Sequence, residues 1–230
     1  MQRECPRCGE PLHAARTYCR FCGGLYPWVP LRESDGPRPE TSWADLAEAL
    51  VAKGPRHPAY WLVVGADITE LAIESIVAAD DASGSMVGSV AYAIRQIGGQ
   101  QIEDESRVKA TGRLGTAWVT GAGQLSVEKV IHAAILDRRR RTSQGMVESA
   151  SGAVLARACE EGLSELALPM LGAGMQRLSS EEAGHAVGVG VSGHFRDAHD
   201  CSVQDIVFVV FEPDQAPGFR RGLLAVLAEE

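Results

Sequence analysis

The sequence lacks any apolar stretch close to the roughly 20 residues needed to cross a bilayer, and its first residues lack the apolar core of a signal peptide. Positive charge is also scarce, because 22 Lys and Arg oppose 30 Asp and Glu and give a formal net charge of −8. The molecule as a whole therefore repels polyanions such as nucleic acid. These absences predict a cytoplasmic protein with a small-molecule or protein partner and no membrane partner.

Several common catalytic motifs are absent. No Gly-x-Ser-x-Gly elbow joins a predicted strand to a helix, and there is no Walker lysine loop. The stretch Gly188–Gly193 matches G-x-G-x-x-G, but it lies inside a predicted helix and does not follow a strand, so it lacks the context of a dinucleotide-binding motif. These absences argue against a serine hydrolase, a P-loop NTPase and a Rossmann dehydrogenase.

Four of the six cysteines form two C-x-x-C-G motifs, with ten residues between Cys8 and Cys19. Two residues between cysteines allow a tight turn to direct both thiolates at one ion, and the following glycine accommodates that turn. A redox C-x-x-C motif normally occurs once, beside a strand and a helix. The spacing therefore predicts a closed, structural Zn²⁺ site formed by Cys5, Cys8, Cys19 and Cys22.

The other two cysteines, Cys159 and Cys201, lie far apart in the sequence and are predicted to be buried or incidental thiols without a disulfide. Cys201 follows three histidines, but their spacing fits no common pattern of metal ligands. The sequence therefore predicts that His185, His194 and His199 are exposed histidines around the end of a helix.

Composition changes along the chain predict its organisation. Four prolines between residues 26 and 41 mark an extended linker, which separates a zinc ribbon over residues 1–25 from an α/β domain over 42–230. Within the latter, a lead-in helix is predicted over 42–54, because its apolar residues recur on one helical face: Trp43, Leu46, Ala47, Leu50 and Val51.

Short β-rich runs then alternate with longer helical patterns, which predicts an α/β fold. The predicted strands are Trp61–Val64, Ile73–Ala79, Thr116–Thr120, Lys129–Ile135, Glu165–Pro169 and Asp205–Phe211. The predicted helices are Val87–Ile97, Ser143–Glu161, Ser179–Arg196 and Gly218–Ala228.

Two glycine-bearing loops each connect a predicted strand to a helix. The loop Pro169–Met175 precedes a helix announced by the capping box Ser179-Ser-Glu-Glu182, and the loop Ala79–Ser89 follows the second strand. Backbone N–H groups of small residues before a helix form a nest for phosphate oxygens, and ligands of α/β domains bind at the carboxyl ends of strands. The two loops are predicted to flank one cleft.

From about Trp61 onward the chain resembles the macrodomain family, whose members bind ADP-ribose and related metabolites. The stretch Val64–Leu71 is similar to the family's G-D-I-T-x-L motif with one inserted residue, and Pro169–Met175 resembles its second phosphate-binding loop. The runs Gly115–Thr120 and Ile206–Glu212 resemble further strands of the family.

This resemblance implies a three-layer α/β/α domain with a mixed sheet, preceded here by the small zinc ribbon. It implies that Asp67 accepts a hydrogen bond from the adenine amino group, with Ile68 beside it, and that an aromatic packs on the adenosine. The ligand-binding residues that it implies are Asp67, Ile68, Asp81, Gly88, Ser89, Val90, Gly172, Ala173, Gly174, Met175, Gln176 and Phe211.

The first loop departs from the family. The family's N-A-A-N motif corresponds here to Ala78–Asp81, and its L-x-G-G-G-G-V-D motif corresponds to Gly84–Ala91. In many hydrolytic members, the second asparagine orients the distal ribose and the final aspartate helps to activate water, but this chain has Asp81 and Ala91 at those positions. The usual catalytic carboxylate is missing, and Asp81 is the one weak candidate for a catalytic residue.

Three functions remain open from the sequence. The favoured one is binding of ADP-ribose, a related nucleotide or an ADP-ribosylated protein or nucleic acid, with the zinc ribbon contacting a partner. An alternative is an ADP-ribosyl hydrolase (glycohydrolase) acting on protein or nucleic-acid adducts, with Asp81 in the carboxylate role. A third is an adaptor with a vestigial cleft blocked by Met86 or Met175, in which the zinc ribbon and Arg138–Arg141 hold the partner.

Overall fold

A computed structural model describes residues 4, 5, 9, 10, 19, 48–51, 59–174, 178–198 and 200–229. The predicted linker over 26–41 and most of the predicted zinc ribbon lie outside the described residues. Among the residues that are described, none belongs to a helix long and apolar enough to span a membrane.

Seven strands in the described part of the chain form one mixed sheet. They are β1 (Glu48–Val51), β2 (Tyr60–Gly65), β3 (Ser75–Asp81), β4 (Ala117–Gly121), β5 (Lys129–Leu136), β6 (Glu165–Pro169) and β7 (Asp205–Val210). Their order is β1-β2-β7-β6-β3-β5-β4, and β2, β7, β6, β3 and β5 run parallel, whereas β1 and β4 are antiparallel edge strands. The central strands are buried on both faces, as expected from their runs of Val, Ile and Ala.

Helices cover both faces of the sheet. They are α1 (Ser89–Gly98), α2 (Gln100–Lys109), α3 (Gln144–Glu160), α4 (Ser180–Asp197) and α5 (Ala216–Ala228). One apolar cluster packs α3, α4 and α5 against the sheet, and a second lies on the α1 side. The predicted α/β/α arrangement is confirmed, and the predicted capping box at Ser179 and Glu182 begins α4.

The predicted lead-in helix over 42–54 is wrong where the structure describes it. Residues Glu48–Val51 form β1 and pair with β2 through backbone hydrogen bonds, in antiparallel register. Pairing satisfies the backbone polar groups of a sheet edge, and this tertiary interaction overrides a short helical periodicity.

The prediction that Cys159 and Cys201 form no disulfide is also wrong. The two residues are 42 positions apart in sequence, but their Cα atoms lie 5.0 Å apart and a disulfide joins them. The ends of α3 and α4 and the segment before β7 meet at this point, and sequence spacing does not reveal such tertiary proximity. His194 and His185 are half-buried rather than exposed, and His199 lies outside the described residues.

Candidate functional site

The candidate site lies along one edge of the sheet. Because β2, β7, β6, β3 and β5 are parallel neighbours, their carboxyl ends meet at this edge, where ligands of open α/β sheets bind. The loops that follow them bring together, in spatial order, Asp67, Phe211, the segment 170–174, the segment 81–88 and the arginines 138–141.

Asp81 is the last residue of β3 and is enclosed by its own loop. Its Oδ1 accepts hydrogen bonds from the backbone N–H of Ser83 at 2.6 Å and from the Ser83 hydroxyl at 2.5 Å, and its Oδ2 accepts one from the Ser85 hydroxyl. Partial burial favours the neutral acid, but the hydrogen bonds from Ser83 and Ser85 outweigh it and hold the pKa of Asp81 below its ordinary value. Asp81 is therefore a carboxylate at neutral pH.

Asp80 anchors this loop from inside the fold. Its side chain is fully buried, and Oδ1 accepts hydrogen bonds from the backbone N–H groups of Asp81 at 2.8 Å and Met86 at 2.9 Å. Oδ2 lies 3.1 Å from His132 Nδ1 on the neighbouring strand β5. One carboxylate thus fixes both ends of the turn that begins the loop.

The buried network continues below Asp80. The other ring nitrogen of His132 lies 3.0 Å from the Thr120 hydroxyl, and the His132 ring stacks on Trp118 with centroids 5.5 Å apart. The indole N–H of Trp118 donates to the Ser106 hydroxyl at 3.0 Å, and that hydroxyl is 3.3 Å from His132 Nδ1. Trp118 is buried in the core, and sequence analysis did not predict this network.

The first loop ends at the N-terminus of α1. Gly88 is the N-cap, and a Cβ there would lie 2.7 Å from the carbonyl oxygen of Ala79, so only glycine allows the loop to approach β3 this closely. No side chain caps the helix. Within the described residues, the first intrahelical bond is donated by Tyr92 to Gly88, and the backbone N–H groups of residues 89–91 have no acceptor.

Met86 does not block this site. Its side chain is fully buried in the apolar cluster between the sheet and α1, and its backbone N–H is used by Asp80. The blocked cleft that an adaptor function predicts is therefore not found at Met86. Met175 lies outside the described residues.

The second loop meets the first one. Gly172 has a φ of +90°, and a Cβ there would lie 2.9 Å from side-chain atoms of both Leu178 and Val147, so the turn requires glycine. A Cβ built on Gly174 would have Ser89 Oγ as its neighbour, 3.9 Å away. The loop after β6 thus lies directly beside the N-terminus of α1. Gln176, which was also predicted to bind ligand, is outside the described residues.

The opposite end of the edge has a different chemistry. Asp67 caps a short 3₁₀ helix, Ile68–Glu70, and its Oδ1 accepts hydrogen bonds from the backbone N–H and hydroxyl of Thr69 at 2.9 and 2.8 Å. Within the described residues its Oδ2 is not engaged, and Ile68 is buried. Phe211 follows β7, the neighbour of β2, and 53% of its surface is exposed.

The arginine run forms an exposed turn after β5. The Asp137 carboxylate accepts hydrogen bonds from the backbone N–H groups of Arg139 and Arg141 and from the Arg141 guanidinium, all at 2.8–2.9 Å. Because Leu136 pairs with Asp81, this turn begins beside the first loop. The arginines of this turn are exposed, and they place positive charge at the end of the cleft.

The residues that sequence reasoning missed share one signal. Asp80 and His132 are polar side chains within strands that are otherwise apolar, and both point to the α1 side of the sheet together with Ile76, Ala78 and Val130. A polar residue on a buried face requires a partner. That requirement marks both positions, although the sequence alone does not pair them.

Comparisons with known proteins agree with this geometry. The family profile described as Macro domain matches residues 77–187. An uncharacterised protein of Mycobacterium tuberculosis is 34% identical over 145 residues, which are 63% of this chain and 39% of that protein. An uncharacterised protein of Aquifex aeolicus is 35% identical over 126 residues, covering 54% of this chain and 76% of that protein. The chain spans about two fifths of the length of the mycobacterial relative.

Solved structures show the same fold. A mutant Oceanobacillus iheyensis macrodomain with ADPR superposes with a TM-score of 0.63 at 18% identity, covering 78% of this chain and 99% of that one. A Trypanosoma brucei macrodomain in complex with ADP gives a TM-score of 0.62 at 16% identity and covers 71% of this chain and 68% of its own. The chain therefore belongs to the macro domain family.

Proposed function

We propose that this protein binds ADP-ribose or a related nucleotide along the carboxyl edge of its sheet. The observation that carries the proposal is the uncapped N-terminus of α1 lying beside Gly174. Unpaired backbone N–H groups at a helix N-terminus bind phosphate, and the helix dipole adds to the attraction. The first turn of α1 contains no acidic residue that would oppose it.

The remaining features of the edge suit the other parts of the nucleotide. The unengaged Oδ2 of Asp67 is an acceptor for an adenine amino group, and the exposed ring of Phe211 offers a stacking surface on the next strand. Asp81 is an ionised carboxylate with about four acceptor sites, of which Ser83 and Ser85 use three, so one site on Oδ2 remains for a ribose hydroxyl. The macrodomain structures with ADP and with ADPR, although similar only at 16–18% identity, support the same class of ligand.

The geometry favours binding over hydrolysis. A hydrolase that uses Asp81 needs its carboxylate to reach the anomeric carbon or a water, but both carboxylate oxygens are held by Ser83 and Ser85. The position after Val90, where hydrolytic members carry an aspartate, holds the buried methyl group of Ala91. Recognition of an ADP-ribosylated protein or nucleic acid belongs to the same proposal, with the arginine turn beside the distal end of the ligand.

Calorimetry of the full chain with ADP-ribose tests this proposal. We expect saturable binding, and we expect Phe211→Ala to weaken it by the about 1–3 kcal/mol typical of base–aromatic stacking. Leu224→Ala is the matched control, because Leu224 is an exposed apolar residue on α5, away from the carboxyl edge. Absence of both heat and a thermal shift with millimolar ADP-ribose would refute the proposal.

We also propose that Cys5, Cys8, Cys19 and Cys22 bind a structural Zn²⁺. The support is their paired spacing and the turn after the first cysteine, where Gly9 has a φ of +77° and its N–H donates to the Cys5 carbonyl at 2.8 Å. Cys5 and Cys19 are buried, whereas Cys8 and Cys22 lie outside the described residues. Four thiolates complete a tetrahedral shell, so the ion supplies folding free energy and no catalysis.

Removal of this ion is expected to unfold the ribbon and leave the macro domain intact. Cys8→Ser should abolish zinc retention at the ribbon, make residues 1–25 sensitive to a protease, and leave ADP-ribose binding within about twofold of wild type. Zinc analysis, limited proteolysis and calorimetry measure the three effects. Loss of nucleotide binding together with zinc would instead mean that the ribbon and the macro domain form one unit.

A further inference from the structure

A cluster of sulfur and nitrogen ligands lies at the opposite end of the fold from the nucleotide cleft. Cys159 is near the C-terminus of α3, His194 is near the C-terminus of α4, and Cys201 precedes β7. One ligand atom from each residue lies within 4.8 Å of the others, and all three residues are half-buried. The parallel strands begin at this edge of the sheet, whereas the nucleotide loops follow their carboxyl ends.

We propose that this cluster binds Zn²⁺ when Cys159 and Cys201 are reduced. In the structure the two sulfurs form a disulfide, so a dithiol reductant must first supply two electrons and two protons to give two thiols and a cyclic disulfide of the reductant. On binding, the ion displaces both thiol protons. Two thiolates then neutralise the charge of the ion, which suits a half-buried position.

The distances fit one tetrahedral ion. With Zn–S of about 2.3 Å and Zn–N of about 2.0–2.1 Å, a sulfur and a nitrogen ligand lie about 3.5 Å apart and two sulfurs about 3.8 Å apart. Cys159 Sγ and His194 Nε2 are 3.5 Å apart. The Cα atoms of the two cysteines lie 5.0 Å apart, and after reduction each sulfur can rotate about its Cα–Cβ bond toward the spacing that one ion requires.

The position of the cluster lets one ion cross-link three separate elements of the fold. An ion held by these residues joins the ends of two neighbouring helices to the start of a central strand, and it leaves one tetrahedral position for water. Asp197, on the same turn of α4 as His194, acts on His194 electrostatically and adds negative charge beside the ion. The sequence spacing of these residues matches no common motif, because three separate elements supply the ligands.

Titration of the full chain with Co²⁺, a spectroscopic substitute for Zn²⁺, tests the proposal. The reference protein carries serine in place of Cys5, Cys8, Cys19 and Cys22, so that the ribbon offers no thiolate, and is reduced with a dithiol that is then removed without air. We expect one equivalent of Co²⁺ with a tetrahedral visible spectrum and a thiolate charge-transfer band. Adding His194→Ala or Cys201→Ser should lower the affinity by more than the about 10–100-fold that outer-sphere changes cause.

Two controls keep the result specific. His185→Ala removes a histidine from an earlier turn of the same helix and should leave Co²⁺ binding unchanged, whereas closing the disulfide with an oxidised dithiol should abolish it. Circular dichroism establishes that each variant is folded. If the reduced reference protein stays folded and binds no Co²⁺, or if the oxidised form binds it equally well, the proposal is overturned. ADP-ribose binding is measured in parallel and should be the same with and without bound Co²⁺.

Discussion

Replacing Asp80 with alanine is expected to lower the free energy of unfolding by about 2–6 kcal/mol, because the Met86 N–H and the His132 ring each lose a buried hydrogen-bond partner at about 1–3 kcal/mol apiece. The change removes the acceptor of two backbone N–H groups, those of Asp81 and Met86, and leaves His132 without its carboxylate. Neither His132 nor the Met86 amide can reach water in the folded protein, because both residues are fully buried. Urea unfolding followed by circular dichroism measures the loss.

Asp81→Ala is the matched control for this experiment, since the two aspartates are adjacent in the same strand. The hydrogen bonds of Asp81 come from Ser83, which is exposed, and from Ser85, which is half-buried, so their loss should cost about 0.5–1.5 kcal/mol for each bond that water does not replace. The loss of stability in Asp80→Asn should lie between the losses in Asp80→Ala and Asp81→Ala, because the amide oxygen still accepts hydrogen bonds from the backbone N–H groups. An Asp80→Ala variant no less stable than Asp81→Ala would show that the buried network does not hold the fold together.

A double-mutant cycle separates the interaction between Asp80 and His132 from the effect of the cavity that either substitution to alanine creates. If the two residues stabilise the fold through each other, Asp80→Ala in a His132→Ala background should lower the free energy of unfolding clearly less than in wild type, because the contact between them is already absent. If Asp80→Ala lowers stability equally in wild type and in His132→Ala, the loss comes from the two backbone N–H groups alone.

The strands that carry the site could be predicted from the sequence. β6 has the predicted bounds, Glu165–Pro169. β2 is one residue longer than predicted at each end and β7 is one residue shorter at its C-terminal end, because their apolar runs are bounded by Gly, Pro, Asp or a change to helical pattern. The second predicted strand, Ile73–Ala79, is displaced by two residues from β3. That displacement matters, since it places Asp80 and Asp81 in the sheet, where the first of them can reach His132.

The sequence failed where packing rather than pattern decides the structure. Helix α2 was missed because it has few apolar residues, and it packs on the sheet partly through Glu103 and Ser106, whose side chains are buried. Glu103 joins it to α1 by an ion pair with Arg95 at 2.6 Å. No hydrophobic periodicity signals such a helix, so only its helix-forming composition would have indicated it.

Contacts between distant positions could not be read from the sequence at all. Asp80 and His132 are 52 residues apart, and Cys159 and Cys201 are 42 residues apart. None of these four residues forms a recognisable motif within its own segment. Each contact becomes apparent only when the spatial order of the strands and helices is known. By contrast, the two glycine loops were predictable as neighbours, because both follow strands of one parallel sheet.

The meeting of those loops leads to the second large effect. Gly174→Val is expected to weaken ADP-ribose binding at least about 100-fold while leaving stability unchanged. Gly174 is exposed, its φ is not positive, and among the described residues its Cβ would have only Ser89 Oγ as a neighbour, at 3.9 Å, so this part of the fold accommodates the side chain. Valine would then occupy the space beside the N-terminus of α1 and keep phosphate from the N–H groups. Charge-assisted hydrogen bonds contribute about 1.5–3 kcal/mol each, and losing two gives this magnitude.

Gly145→Val is the control, because Gly145 lies in the first turn of α3 with nothing within 4 Å of its Cβ. Calorimetry with ADP-ribose and with adenosine distinguishes a local effect from a general one. If the diphosphate binds at α1, Gly174→Val should weaken ADP-ribose far more than adenosine, whereas Phe211→Ala should weaken both equally. Unchanged ADP-ribose affinity in Gly174→Val would place the diphosphate elsewhere, even in a protein that binds the nucleotide.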